Sequence, residues 1–321
     1  MNFREKHLLR SKVFLTVIEN KKLNIFLSMT SFLGFYVLYL LIKEIGLNFS
    51  SEQILNFPIL FSLVFVFGSF CLRAVRYNLL SSPFGNLTFK ASLITVTKGY
   101  TLNCIIPLRA GEIYRIFRGK LDLDCSYPES LAIISIEKGI DIAVYSLLSL
   151  PILFILEHFF DPSEYFWIAI VLVCLLLLMV FATLISLSLK KFLFLLLSHL
   201  YLISKNIPKS TLLTLCIFAL EMVAFWLVAR VFEIELSLFQ TVLIVGISNI
   251  STLFLPSPAG IGAFEYSIVF VLGNFFNSPI QDALAFAFVT HAILIIPISI
   301  MGLIMFLFSV RLNSMSRLEK K

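Results

Sequence analysis

Seven ionisable side chains fall inside apolar stretches of this 321-residue chain: Lys98, Glu137, Lys138, Asp141, Glu221, Glu265 and His291. Glu137, Lys138 and Asp141 lie within about one helical turn, so on a helix they make one polar face. Carboxylates and an imidazole held away from water can carry protons or hold cationic partners, which is why charges inside a membrane tend to mark function. Each also has a plainer reading. Lys138 and Asp141 could form a self-satisfied ion pair that only locks two helices together. Glu221, in "LCIFALEMVAFWLVARVF" with no base within one turn, could be a neutral acid hydrogen-bonded inside a bundle. His291, in "FVTHAILIIP", could be a donor that glues two helices.

A second chemistry is written in "NCIIPLRAGEIYRIFRGK", residues 103 to 120. Arg109, Gly111, Glu112 and Arg115 follow a proline that interrupts an apolar run. Arginines together with backbone amides left accessible by glycine at a helix start suit a phosphate. Lys98 and Lys138 are further bases within reach of such a group, whereas Arg118 and Lys120 read as ordinary loop charge. Arg109 itself has the same plainer reading. In "PSPAGIGAFE", Gly260 and Gly262 open another helix whose next turn holds Glu265; here the glycines could serve close packing alone.

Those residues must be positioned by membrane helices. The chain is 59% hydrophobic and 14% charged, with mean hydropathy +0.98, values that belong to integral membrane proteins. The net charge of +6 is explained by membrane topology, and nothing points to nucleic acid. Cys71, Cys104, Cys125, Cys174 and Cys216 show neither CxxC nor Cys/His metal spacing. With Walker, dinucleotide, zinc-protease and Gly-x-Ser-x-Gly motifs also absent, we expect no catalytic residue, no metal and no cofactor.

Six apolar segments reach the length of a full span: about 23–42, 54–72, 131–156, 165–189, 211–232 and 283–310. The first is read as a retained span, not a cleaved signal. Lys and Arg concentrate at one set of ends, in 1–22, 73–90, 108–128, 190–210 and 311–321, so those ends and both termini are expected in the cytoplasm. Segments 91–107 and 239–255 are shorter, are interrupted by Gly, Asn, Thr or Ser, and end at prolines. The first has basic flanks and the second, as part of a 239–275 unit, acidic ones, so each should enter and leave on one side as a re-entrant or broken-helix hairpin. Pro107-Leu108-Arg109-Ala110-Gly111 is echoed by Pro256-Ser257-Pro258-Ala259-Gly260. The expected fold is therefore an all-α integral membrane protein of six full transmembrane helices and two hairpins, in two inverted-topology repeats, 23–156 and 165–310. A basic segment 1–22 and a basic tail 311–321 flank the single membrane domain.

At "PLRAGEIYR" together with "LPSPAGIGAFE" the sequence resembles the lysylphosphatidylglycerol synthase transmembrane-region family, also called flippase-like domain proteins, over about residues 20 to 310. The matching positions are Pro107, Arg109, Gly111, Glu112 and Arg115, then Glu137, Lys138 and Asp141, then Pro258, Gly260, Gly262 and Glu265. The resemblance implies a lipid translocase without the cytosolic aminoacyl-transferase domain that some members carry. Relatives often have an arginine near the position of His291, a departure that alters the charge balance here. The expected substrate is an anionic phospholipid or a polyprenyl-phosphate-linked lipid in the plasma membrane, moved by a gradient or downhill. Its phosphate would meet Arg109, Arg115, Lys98 or Lys138, and Glu137, Asp141, Glu221 and His291 are candidate proton carriers. A separate transferase or glycosyltransferase is a candidate partner. The competing readings are a membrane-embedded enzyme acting on a lipid head group, with Glu112, Glu137 or Asp141 as acid or base, and a non-transporting subunit of a glycan-assembly system.

Overall fold

The structure, a computed structural model, describes residues 56–106, 109–151, 197–254 and 257–318. The expected spans at 23–42 and 165–189, and the basic segment 1–22, lie outside the described residues. Every described element is helical. In chain order these are α1 (Phe57–Ser81), α2 (Phe89–Ile105), α3 (Ala110–Asp122), α4 (Tyr127–Ser149), α5 (Ile207–Val231), α6 (Leu238–Phe254), α7 (Ala263–Phe275) and α8 (Ile280–Leu318). A short 3-10 turn, Pro258–Gly260, precedes α7.

Among the described residues, three helices are long and apolar enough to cross a bilayer: Phe57–Ser81, Leu197–Val231 and Ile280–Leu307. The last two overlap the expected spans at 211–232 and 283–310 over nearly their whole length. Helix α4, with 23 residues, has the length but carries Glu129, Glu137, Lys138 and Asp141. It starts at Tyr127, not 131, because Ser126 and Glu129 form a reciprocal capping box, the Ser126 amide donating to Glu129 Oε2 at 2.5 Å.

Helix α1 corrects the sequence reading. The span expected to end at 72 continues to Ser81, so Arg73 and Arg76, counted among cytoplasmic bases, lie inside a helix and are buried. The apolar period explains the extension: Phe70, Ala74, Tyr77 and Leu80 continue the inward-facing stripe of Ile59 and Val66. Helix α1 packs most extensively on α5, and the main core gathers Val66, Phe70, Phe225, Ile244, Phe264 and Phe286. The outward faces stay apolar, with Phe57, Val64, Leu212 and Leu307 exposed as suits contact with lipid tails.

Helices α2 and α3 pack on each other, as do α6 and α7, and in both pairs the connection is short. In the first pair the crossing point is Gly99 against Gly111. A Cβ on Gly111 would fall inside the Gly99 carbonyl oxygen, and the Gly111 amide donates to Asn103 Oδ1 at 2.7 Å. Both α3 and α7 begin after a residue in the left-handed region, Arg109 (φ 56°) and Gly262 (φ 88°), and both carry Glu at the third helical position, Glu112 and Glu265. The helix starts thus correspond Arg109 to Gly262, a register shifted from the Pro-to-Gly echo of the sequence because the second connection is longer.

Substitutions at two glycines separate crowding from propensity. Gly111→Ala forces backbone apart and is expected to cost toward the upper end of roughly 1–3 kcal/mol, read as a lowered Tm of the detergent-solubilised protein. Gly139→Ala, on α4 with open space around its Cβ position, should raise Tm through a gain of roughly 0.5–1 kcal/mol.

Candidate functional site

Four helices bring charges to one place. On α4, Ile133, Glu137, Ile140, Asp141, Val144 and Tyr145 share the buried stripe, so the helical period that packs the isoleucines also turns both carboxylates inward. A charge held there needs a partner, because desolvation is not otherwise offset. Arg76 of α1, fully buried, donates to Asp141 Oδ1 at 2.5 Å and Oδ2 at 3.2 Å, to Thr214 of α5 at 2.5 Å, and stands 3.4 Å from Glu137. Arg115 of α3 grips Glu137 through two parallel bonds of 2.8 and 2.6 Å, with its guanidinium over the Tyr77 ring at 4.7 Å. Arg73 of α1 binds Glu221 of α5 and donates to the Tyr100 hydroxyl at 2.9 Å.

Arg109 joins the two helix pairs. As N-cap of α3 it donates to Glu112 Oε1 at 2.9 Å, and its other terminal nitrogen donates to the Thr252 carbonyl at 2.8 Å. Thr252 lies in the last turn of α6, where carbonyls lack helical partners, so the start of α3 caps the end of α6.

Between these elements lies a cavity of about 180 Å³. Its wall includes Arg73, Arg109, Glu112, Lys138, Asp141 and Glu221, and across from them the second connection contributes Ser257, Ala259 and Gly260, with His291 from α8.

Among the described residues the charges around it do not cancel. Arg73, Arg76, Arg115 and Arg109 each hold a carboxylate of their own, respectively Glu221, Asp141, Glu137 and Glu112. Lys138 is the fifth base. Its Nζ is 3.7 Å from both Glu112 and Asp141, each already bound more closely by an arginine, and 5.8 Å from the Tyr100 ring centroid. The Tyr145 hydroxyl, in the same wall and buried, has no hydrogen-bond partner among the described residues, nor does Ser257 Oγ.

Sequence reasoning found the charged residues of this wall except Arg73, and it missed Arg76, buried behind the wall. It also grouped residues that the structure separates. Arg115 and Gly111 are buried behind the cavity, and Lys98 lies elsewhere on α2, with its Nζ 4.7 Å from the Phe306 ring centroid. The plain Lys138–Asp141 pair is present only as a long contact beside a closer arginine. Glu221 has the tertiary partner its position called for. Glu265 sits behind the wall: Oε2 accepts from the Gly262 amide at 2.7 Å and Oε1 lies 2.6 Å from His291 Nδ1, while Nε2 lies 3.1 Å from the Ala259 carbonyl. Arg118 and Lys120, expected as ordinary loop charge, lie instead on α3 and are half-buried, Arg118 pairing with Asp122 at 2.7 Å and Lys120 lying over Tyr127. In the loop before α4, burial pushes the Cys125 thiol up to about 11, which keeps it protonated. No group of three or more His, Cys, Asp or Glu among the described residues could hold a metal.

The family model described as Lysylphosphatidylglycerol synthase TM region matches residues 23–302. No curated protein and no solved structure matches the chain.

The two motif arginines should respond differently to truncation. Arg115→Ala leaves Glu137 buried with only a distant share of Arg76, an expected loss of roughly 3–5 kcal/mol. Arg109→Ala, with a part-exposed side chain, should lose about 1 kcal/mol or less of ion-pair energy. Thermal melts in one detergent, alongside the monodisperse fraction, distinguish them.

Proposed function

The chain belongs to the lysylphosphatidylglycerol synthase TM-region family, and from that premise we propose that it translocates a phosphate-bearing lipid or lipid-linked sugar between membrane leaflets. The observation that carries this reading is Lys138, a base in excess of the carboxylates, facing a cavity between two helix pairs. An anionic head entering there meets Lys138 and the exposed edges of Arg73 and Arg109, and can bond the Tyr145 hydroxyl. The cavity holds the head group while the tails remain in lipid.

Helices α2 and α6, 17 residues each, and α3 and α7, 13 residues each, are about 25 and 20 Å long, short of a ~30 Å hydrocarbon core. We read the pairs as re-entrant hairpins entering from opposite sides, related as inverted repeats, in a plasma-membrane protein with cytoplasmic termini. Irregular backbone at such depth is tolerated where it lines a polar cavity, as Arg109 at the start of α3 and Ser257, Ala259 and Gly260 before α7 do.

Transport is favoured over head-group chemistry by the state of the carboxylates. Glu112, Asp141 and Glu221 line the cavity, and each is already engaged by an arginine instead of being left open to a reacting group. A separate transferase or glycosyltransferase would then supply or use the lipid.

The test is dithionite quenching of labelled phosphatidylglycerol or a labelled polyprenyl phosphate in proteoliposomes. Wild type should accelerate redistribution, and Lys138→Ala should slow it roughly tenfold, the loss of one charge-assisted contact, with Tm within a few degrees of wild type. Lys138→Glu should abolish it. Redistribution no faster than in empty vesicles for both lipid classes, or full activity in Lys138→Glu, overturns the reading; a new lipid product by mass spectrometry would favour the enzyme.

A further inference from the structure

Hydrogen-bond accounting at Glu265 and His291 leaves one proton unassigned. The Ala259 carbonyl oxygen can only accept, so His291 Nε2, 3.1 Å away, must carry a hydrogen. Nδ1 and Glu265 Oε1 are 2.6 Å apart, so a hydrogen must lie between them as well, on the ring or on the carboxyl. Glu265 Oε2 is already an acceptor from the Gly262 amide at 2.7 Å. A neutral imidazole and an ionised carboxylate own one hydrogen between them, and this geometry uses two.

We propose that Glu265 and His291 are a one-proton coupling site, whose proton holds the tip of the second hairpin against α8 and whose loss releases it. When the proton leaves, the remaining ring hydrogen can satisfy Ala259 or Glu265 but not both. Keeping it on Nδ1 avoids a lone pair facing a carboxylate and leaves the Ala259 carbonyl without its donor. Ala259 is poised to move. Its φ of 56° lies in the left-handed region that an L-residue adopts at a cost, and its hydrogen bond to His291 helps hold it there.

Among the described residues, the surroundings leave the pair to itself. Of the elements packed on α8, α1 and α5 bring Arg73 and Glu221 to the shared cavity already bound to each other, α2 brings Tyr100 and Cys104, and α7 brings Glu265. Lys138, Asp141, Tyr145, Arg109 and Glu112 line the same cavity from α4 and the start of α3. The Phe264 ring stacks on the imidazole at 4.2 Å, fixing its plane. Ala259 and Gly260 form part of the wall of the head-group cavity, so protonation is felt where the lipid head would bind. What the site couples to rests on the translocation reading above; the proton itself does not.

Glu265→Gln provides the decisive variant. Its amide can donate to Nδ1 and its oxygen accept from Gly262, which reproduces the proton-loaded pattern with nothing to lose. In lipid nanodiscs, hydrogen exchange of amides 259–265, corrected for intrinsic pH dependence, should rise roughly tenfold or more in wild type between about pH 5 and about pH 9. Glu265→Gln should stay slow throughout, and Glu265→Ala fast throughout. Wild-type exchange flat across that range, or Glu265→Gln exchanging as fast as Glu265→Ala, overturns the proposal. In proteoliposomes, lipid movement should follow an imposed pH gradient in wild type and ignore it in Glu265→Gln; gradient dependence that survives in Glu265→Gln also overturns it. Wild-type protein that moves no lipid while its tip still opens with pH would sink the translocation reading and leave the proton site standing.

Discussion

A guanidinium that water cannot reach must be given a carboxylate, and most of this structure follows from meeting that demand several times over. Arg76 reaches Asp141, Glu137 and Thr214 from a position with no exposure, which ties α1 to α4 and α5 at once. Arg115 draws α3 onto α4 through Glu137, and Arg73 draws α1 onto α5 through Glu221. In lipid, apolar burial gives little net force between helices, so polar contacts and close packing set their arrangement. Removing one partner strands the other, so the network holds as a unit. Its edge, not its centre, is what a ligand can meet.

The same constraint explains what was legible in the sequence. Apolar length was enough to find α5, α8 and the core of α1, because hydrophobic matching to a bilayer is a property of one segment at a time. The broken pairs were legible from proline, glycine and asparagine inside apolar runs. Glu137, Asp141 and Glu221 announced themselves as acids needing partners. Those partners were hidden because ion pairing links residues 65 and 148 positions apart, Arg76 to Asp141 and Arg73 to Glu221, and nothing local marks the match. A cue did exist: the stripe of Phe70, Ala74, Tyr77 and Leu80 continues past Arg73, and two arginines three residues apart on that face cannot be loop charge. Counting charge by position, without following the helical period to its end, hid it.

Arg109 and Arg115 show a second limit. Both belong to one short motif, and spacing alone suits both to a phosphate. One turn and a half of helix separates their fates: Arg115 falls on the face of α3 that also buries Gly111 and Tyr114, whereas Arg109, ahead of the helix in a left-handed conformation, projects across to the end of α6. Motif membership says which residues matter, and helical phase says which of them a ligand can touch.

The two hairpins share a plan and differ in what secures it. Each starts its second helix after a residue of positive φ, and each places a glutamate at the third position to receive a charge or an amide. In the first, Glu112 is held by Arg109, a cation at every accessible pH, and Arg109 in turn caps the carbonyl of Thr252. In the second, Glu265 is held by an imidazole, which is a donor at both nitrogens only while it or its partner keeps a proton. One tip is therefore anchored unconditionally and the other by a bond that can be withdrawn, although both face the same cavity. On the translocation we propose, the site must release its ligand to either side, and such an inequality serves that need, because two equally fixed walls would leave only one way in. On that proposal the arginine side is the fixed charge that recognises the head group, and the histidine side is the one free to let it go.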